Sequence, residues 1–245
     1  MAVVSDSEPI IWMRAEKSTR GPAPQHSREQ IAELAIEIAD AEGIEAASVR
    51  NIAKKLGTGA MTLYRYLPAK EDLYAVMIDQ ATGFEPQEPT GDVRADLTTL
   101  ARRRRQIFLR HPWLAPLLGT RPVMGPNFLR GMERDLALLA GCDLEMDATL
   151  AVLDLIHSWI SGTVQAELTE RADVHRSGVD RDTWRRRMQP YLMSQLATGE
   201  FPYLSKMIKV SEIGGGEQRF ENGLTTILDG IEARFLANTG SRPAG

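Results

Sequence analysis

Apolar residues in this chain recur with the period of an α-helix, and this spacing restricts the fold more than any other feature of the sequence. In the first clear segment, Ile31, Leu34 and Ile38 follow one another at intervals of three and four residues, which places them on one face of a helix. The same period returns in the stretches 93–110, 126–140, 144–171, 183–197 and 217–237. Alternating apolar and polar runs bounded by hairpin turns are not found. The sequence therefore predicts an all-α fold.

Composition narrows the class of protein. The 245 residues are 43% hydrophobic and 25% charged, as in ordinary globular domains. There is no run of about 18 apolar residues and no basic N-terminal segment leading into one, so neither a membrane span nor a secretory signal is predicted. Cys142 is the single cysteine, which excludes an intrachain disulfide and a multi-cysteine metal site. We expect a cytoplasmic protein in which Cys142 is a small buried core residue.

Proline and glycine divide the chain into segments. Residues 1–26 hold three prolines and no sustained period, and we expect a flexible N-terminal arm there. A helical domain is predicted over residues 27–83. The Pro- and Gly-rich stretch 84–92 then marks a domain boundary. A second helical domain is predicted over residues 93–237, followed by a disordered tail at 238–245.

Capping residues locate the first two helices of the first domain. Ser27, with Gln30 three residues later, has the pattern of a capping box. Gly43 is placed to end that helix in the left-handed conformation that glycine tolerates. Ser48 is placed to cap a second, short helix, which ends at Gly57.

A third helix is predicted from Ala60 to Leu67, because Pro68 disfavours helical geometry in the residue before it. A fourth is predicted over residues 70–83. Two short helices joined by a glycine-containing turn have the pattern of a helix-turn-helix, whose second helix enters the major groove of DNA. Hydroxyl groups that can donate to phosphate oxygens lie along the third helix and its start. They belong to Thr58, Thr62, Tyr64 and Tyr66.

The charge of this segment is strongly positive although the chain has a net charge of −4. Residues 48–70 contain five basic residues and no acidic one, which gives the segment a charge of +5. Residues 29–45, immediately before it, are acidic. The charge distribution therefore favours a local nucleic-acid-binding face in an acidic protein. Arg14, Lys17 and Arg20 in the arm leave open whether residues 1–26 also contact DNA.

The run from Ser48 to Leu73 resembles the signature of the tetracycline-repressor (TetR) family. Its pieces are I-A-x-x-L-G at residues 52–57, T-L-Y-x-Y at residues 62–66, and the lysine and leucine that open the next helix. The resemblance extends over about residues 27–80. It implies a dimeric, ligand-responsive transcriptional regulator, most often a repressor, with a helix-turn-helix DNA-binding domain and a C-terminal helical domain for ligand binding and dimerisation.

The resemblance also implies roles for individual residues. Positions near the bases are Arg50, Ala60, Met61 and Arg65, and positions at phosphates are Ser48, Thr62, Tyr64, Tyr66 and Lys70. The two arginines are candidates for bidentate contacts with guanine, and the two apolar residues suit contacts with thymine methyl groups.

The tract L-G-T-R-P at residues 118–122 is similar to the ligand-domain loop of the tetracycline repressors themselves. Those repressors place a magnesium-ligating histidine immediately before it, where this chain has Leu117. The resemblance therefore implies a more apolar ligand bound without a metal, and we expect no metal and no cofactor. Candidate lining residues, each of which ordinary core packing also explains, are Trp113, Leu117, Thr120, Arg121, Met124, Phe128 and His157.

By the same resemblance, the helices over 144–171 and 217–237 are expected to pair with those of a second copy in a four-helix bundle. The spacing of apolar residues from Phe220 to Phe235 suits such packing. A twofold dimer would present two recognition helices to a palindromic operator.

Other features are assigned ordinary structural roles, and two alternatives remain. The runs Arg102–Arg105 and Arg185–Arg187 fan around their helices, so we expect solvated or ion-paired side chains. Residues 173–182 are predicted to be a loop. Motifs for phosphate binding, serine nucleophiles or zinc proteases are not found, and we expect no enzyme. The alternatives are a small-molecule-binding protein or enzyme that keeps this fold without binding an operator, and a non-specific architectural DNA-binding protein.

Overall fold

A computed structural model describes residues 9–14, 26–83, 88–117, 123–210 and 215–236. Within these residues the chain forms α-helices and short 3-10 turns and no β-strand, so the predicted all-α class is confirmed. No helix in this part of the chain is long and apolar enough to cross a membrane.

Ten α-helices follow one another along the described residues. They are α1 (Arg28–Glu42), α2 (Val49–Lys55), α3 (Ala60–Leu63), α4 (Lys70–Ala81), α5 (Val93–Arg110), α6 (Pro126–Leu139), α7 (Met146–Ser177), α8 (Arg181–Ala197), α9 (Pro202–Val210) and α10 (Gly216–Ile231).

The predicted caps of α1 and α2 are confirmed. The hydroxyl of Ser27 accepts a hydrogen bond from the Gln30 amide at 3.2 Å, and the Gln30 side chain accepts one from the Ser27 amide at 3.0 Å. Gly43 ends α1 with a φ of 88°, a conformation that glycine adopts without a steric penalty. The hydroxyl of Ser48 accepts from the Asn51 amide at 3.3 Å. Local side-chain chemistry therefore sets the ends of both helices.

Two predicted helix ends are wrong, and one helix is missing from the prediction. The third helix ends at Leu63 and not at Leu67, and turns occupy residues 64–66. Helix α7 continues through the predicted loop to Ser177, where Gly178 ends it with a φ of 65°. Ion pairs one turn apart, such as Arg171 with Glu167, support this extension. Helix α9 was not predicted at all.

Helices α1 to α4 enclose one apolar core. Ile31, Ile52 and Leu63 contribute side chains that are 1% exposed or less. Helix α3 is only one turn long, so its orientation depends on burial of Leu63 between α1, α2 and α4. The core continues into Trp113 and Leu114, which belong to the turn after α5.

Helices α5, α6, α7 and α10 enclose a second core. The buried side chains of α10 are Phe220, Leu224, Leu228 and Ile231, and they pack against the buried face of α7. The apolar spacing that was expected to face a second copy therefore faces the interior of the same chain. Cys142 lies in this core, 8% exposed, as predicted, and burial raises the pKa of its thiol.

Helix α8 has no buried residue. It and the adjoining α9 instead expose large apolar side chains, among them Trp184, Tyr191 and Tyr203, which are 57%, 60% and 83% exposed. Apolar surface of this extent commonly marks an interface.

Asp79 of α4 joins the two cores. Its side chain is 3% exposed, and its carboxylate accepts hydrogen bonds from the amides of Asn127, at 3.1 Å, and Phe128, at 2.9 Å. These amides belong to the first turn of α6, where a helix has no internal acceptors for them. Asp79 therefore caps α6 from a different helix and holds α4 and α6 together.

Residues 9–14 correct one expectation for the N-terminal arm. They do not form a flexible segment: Ile11–Met13 make a 3-10 turn, and the Ile11 side chain is 3% exposed. Arg14 forms an ion pair with Asp72 at 2.9 Å, because the turn lies against the start of α4. The other residues of the expected arm, at 1–8 and 15–25, lie outside the described residues.

Candidate DNA-binding surface and ligand cavity

Helices α2 and α3 present one basic surface. Arg50, Met61, Tyr64 and Arg65 are exposed on it, with Met61 77% exposed. Ser48, Thr58, Ala60 and Thr62 are half-buried along its edge. The structure therefore brings together eight of the residues that the sequence assigns to DNA contact.

Tyr66 is placed differently from the expectation of an exposed side chain. It is 8% exposed and lies in the core of the first domain. Its position follows from the turn after α3, in which the Tyr66 amide donates to the carbonyl of the buried Leu63 at 2.9 Å. The Tyr66 carbonyl accepts a hydrogen bond from Nε of Arg28 at 3.2 Å.

Lys70 is exposed at the start of α4, close to an acidic neighbour. Its Nζ lies 3.6 Å from the Glu45 carboxylate and 5.0 Å from the centre of the Tyr74 ring. The proximity of Tyr74, and after it the charge of Glu45, raises the pKa of Lys70 and keeps it protonated. Glu45 would compete with a phosphate for this ammonium group.

A cavity of about 960 Å³ lies between α4, α5, α6 and α7. Its volume is in the range that holds small-molecule ligands. Its walls are mainly apolar, with the side chains of Ile78, Ile107, Phe108, Val123, Phe128, Met132, Leu150, Leu153 and Ile160. Ile78 of α4 and Thr82, which directly follows α4, line the cavity, so the DNA-binding domain forms part of the cavity wall.

A polar cluster interrupts the apolar wall. The Arg104 guanidinium donates to the carboxylate of Asp135 and to Nε2 of His157. Asp135 is 5% exposed, and its buried charge is balanced by Arg104. Burial lowers the pKa of His157, an effect that the nearby Asp135 carboxylate only partly opposes. His157 is therefore neutral at physiological pH.

The structure separates the predicted ligand residues into groups. Phe128 and His157 line the cavity. Trp113 and Leu117 instead pack in the first core, where Nε1 of Trp113 donates to Asp40 at 2.7 Å. Met124 is 55% exposed and does not line the cavity. Thr120 and Arg121 lie outside the described residues.

Sequence reasoning missed Arg104 and Asp135 as cavity residues. The available signal was the Arg102–Arg105 run, because four successive residues go once around a helix and must place at least one side chain inward. Arg102, Arg104 and Arg105 pair with Glu221, Asp135 and Glu167, which confirms the prediction of ion-paired side chains. The described residues include no group of histidine, cysteine and acidic side chains arranged to hold a metal.

His157 makes stability depend on pH. Because its pKa in the folded protein is below the ordinary value of 6.5, the unfolded chain binds its proton more readily as the pH falls. The contribution of His157 to the free energy of unfolding is fully present above pH 6.5 and is lost as the pH falls through the folded pKa. We expect His157→Gln to flatten this decline in urea unfolding at a series of pH values. His175→Gln, an exposed histidine on the same helix, is the control; equal slopes in the two variants would contradict the assignment.

Two family models match the chain. Residues 31–77 match the bacterial regulatory proteins of the tetR family, and residues 85–235 match the tetracyclin repressor-like C-terminal domain. The first match spans α2 and α3 with the basic surface, and the second spans the cavity.

Relatives and solved structures agree with both matches. The chain is 34% identical over 237 residues to the transcriptional repressor DrrR1 of Streptomyces coeruleorubidus, covering 94% of this chain and 86% of that one. It is 28% identical over 229 residues to the repressor Rv1353c of Mycobacterium tuberculosis, covering 89% and 84%. The structure of ActR from Streptomyces coelicolor in complex with actinorhodin aligns with a TM-score of 0.72 at 27% identity, over 85% of this chain and 96% of ActR. The chain belongs to the TetR family of helix-turn-helix transcriptional regulators.

Proposed function

We propose that this protein is a homodimeric repressor that leaves a palindromic operator when a small molecule enters the cavity. The observation that carries the proposal is that α4 belongs to both sites. Its first residue, Lys70, adjoins the basic surface, and Ile78 and Thr82 near its other end line the cavity. Occupancy of the cavity is thus placed to affect the orientation of the DNA-binding domain.

The junction with α6 supports a mechanical route between the sites. Phe128 lines the cavity, and its amide donates to Asp79 of α4 at 2.9 Å. A ligand that displaces Phe128 would therefore move α4 through a buried hydrogen bond. A ligand that binds more tightly when the DNA-binding domains are oriented away from the operator lowers operator affinity. By linkage, the operator lowers the affinity for the ligand by the same factor.

The lining of the cavity supports a ligand with a large apolar body. Most side chains around it are aliphatic or aromatic, and the charges of Arg104 and Asp135 offset each other. Asp147 and Asp154, on the first turns of α7, also line the cavity, so its described walls disfavour an anionic ligand. ActR, with the same fold, was solved with actinorhodin and with (S)-DNPA, which supports a small-molecule ligand for this chain.

The exposed surfaces support association with a second copy. On α7, Leu155 and Gly162 are exposed on the side away from α10, and on α10, Thr226 and Gly230 are exposed on the side away from α7. The apolar side chains of α8 and α9 extend this surface. We propose that these faces, and not the buried spacing from Phe220 to Phe235, form the dimer interface.

The alternatives make different use of the same features. A ligand-sequestering protein or an enzyme would not need the basic segment 48–70, and an architectural protein would not need the cavity. The presence of both in one chain favours a regulator, which we place in the cytoplasm with its DNA.

A gel-shift assay on the DNA flanking the protein's own gene tests the proposal. We expect binding to one palindromic fragment and not to scrambled DNA at the same salt concentration, since non-specific binding is governed by salt and not by sequence. Addition of neutral or cationic aromatic compounds should release the fragment. Equal binding to scrambled DNA would refute the repressor mechanism. It would also be refuted if compounds bind the protein tightly and none of them releases the palindromic fragment.

Arg65 tests base reading. Arg65→Ala should weaken operator binding by about 1–3 kcal/mol and relax preference at one base pair per half-site, because a bidentate contact with guanine is lost. Competition with operators mutated at single positions measures this. Arg176→Ala, which removes the same charge from the exposed end of α7, should have no effect. An equal loss on every sequence would assign Arg65 to the phosphates.

Lys70 and Glu45 test the phosphate contact as a pair. Lys70→Ala should weaken binding to all DNA sequences. It should also reduce the slope of log binding constant against log salt concentration by about one per protomer. Glu45→Gln should strengthen binding, because it removes the carboxylate 3.6 Å from Nζ. In the background of Lys70→Ala, Glu45→Gln should lose most of this effect. An unchanged salt slope in Lys70→Ala would exclude the contact.

A further inference from the structure

Residues 9–14 are bound to the DNA-binding domain through the buried Arg28. Arg28 is 8% exposed. Its guanidinium donates to the carbonyls of Ile11 at 3.0 Å, Arg14 at 2.9 Å and Tyr66 at 3.2 Å. Loss of the turn would leave the buried guanidinium without two of these acceptors, which is costly for a charged group. One side chain therefore joins the N-terminal turn to the residues that follow the recognition helix.

A second link joins the turn to the start of α4. Nη1 of Arg14 lies 2.9 Å from Oδ2 of Asp72, and the same oxygen accepts from the amide of Ala69 at 3.2 Å. Nε of Arg14 donates back to the carbonyl of Pro9 at 2.6 Å, which closes the turn on itself. The turn is thus bonded directly to Asp72 in the first turn of α4 and, through Arg28, to Tyr66 between α3 and α4.

Trp12 extends from this turn to α6. The ring lies against Gly125, the residue that precedes α6. A Cβ atom built on Gly125 would lie 2.7 Å from Cζ2 of Trp12 and 2.2 Å from Oδ1 of Asp79. Both distances are far below van der Waals contact, so only glycine fits between the ring and the carboxylate. Trp12 therefore covers the point at which Asp79 binds the first turn of α6.

We propose that residues 9–14 form a clamp that positions the recognition helix relative to α6, with Arg28 and Trp12 as its positioning residues. Arg28 joins the turn to Tyr66, which follows the recognition helix. Trp12 joins the turn to Gly125, which precedes α6. The part of this proposal that concerns operator affinity rests on the proposed function. The part that concerns the junction does not.

Hydrogen exchange and operator binding of the full-length chain test the clamp. Trp12→Ala should speed exchange at the amides of Asn127 and Phe128, which donate to Asp79, by about tenfold or more, since local opening becomes easier. It should weaken binding to the operator fragment by about threefold to tenfold, as expected for a residue that couples two sites by packing. Met13→Ala, in the same turn but 75% exposed, is the matched control and should change neither.

Two further variants separate positioning from core stability. Trp12→Phe keeps an aromatic ring and should recover most of both effects. Gly125→Ala keeps every residue of the turn, adds a methyl group that must displace the Trp12 ring or the Asp79 carboxylate, and should speed exchange at Asn127 and Phe128 as Trp12→Ala does. Exchange that rises equally throughout α1 to α4 would show a contribution to stability alone and would overturn the clamp.

Unchanged exchange and binding in Trp12→Ala would also overturn it. If the unmodified protein binds no operator, the proposed function fails, and the exchange at Asn127 and Phe128 still decides whether the clamp exists.

Discussion

The structure depends on a buried carboxylate that belongs to one helix and caps another. Asp79 brings a charge into an apolar region, and burial raises its pKa although the amides of Asn127 and Phe128 lower it. Such a group is stable only while both amides remain in place. Because α4 carries Asp79 and α6 carries the amides, neither helix can move without the other. The DNA-binding domain and the ligand domain are therefore one mechanical unit at this point.

The sequence was sufficient where local chemistry determines structure. Ser27, Gln30, Gly43 and Ser48 each act on backbone groups within four residues, so their pattern predicts helix ends without knowledge of the fold. The basic, acid-free segment 48–70 likewise predicts a charged surface, because most of its side chains project from two short helices that bury only a few positions. Family resemblance then supplied the roles that residue chemistry left open.

The sequence was insufficient where structure depends on contacts between distant residues. Helical spacing shows that the face of α10 with Phe220 and Leu224 is buried, but it does not show whether the burying partner is α7 or a second copy. Trp113 is a large aromatic residue of a kind that often lines ligand cavities. It instead packs in the core of the DNA-binding domain, where its Nε1 donates to Asp40. Trp12 lies in a proline-rich segment with no period, and the sequence does not show that it packs against the first core and against Gly125, more than 100 residues away.

The single turn of α3 has a consequence for how operator preference can change. Leu63 is its one buried side chain, whereas Met61 is 77% exposed and Ala60 is only half-buried. Substitutions at exposed positions away from caps and ion pairs usually alter stability by less than about 0.5 kcal/mol. With Met61 at the bases, as proposed, exchange of this residue would change operator preference with little loss of folding stability. The proposed recognition helix would therefore let operator preference change while the scaffold stays the same.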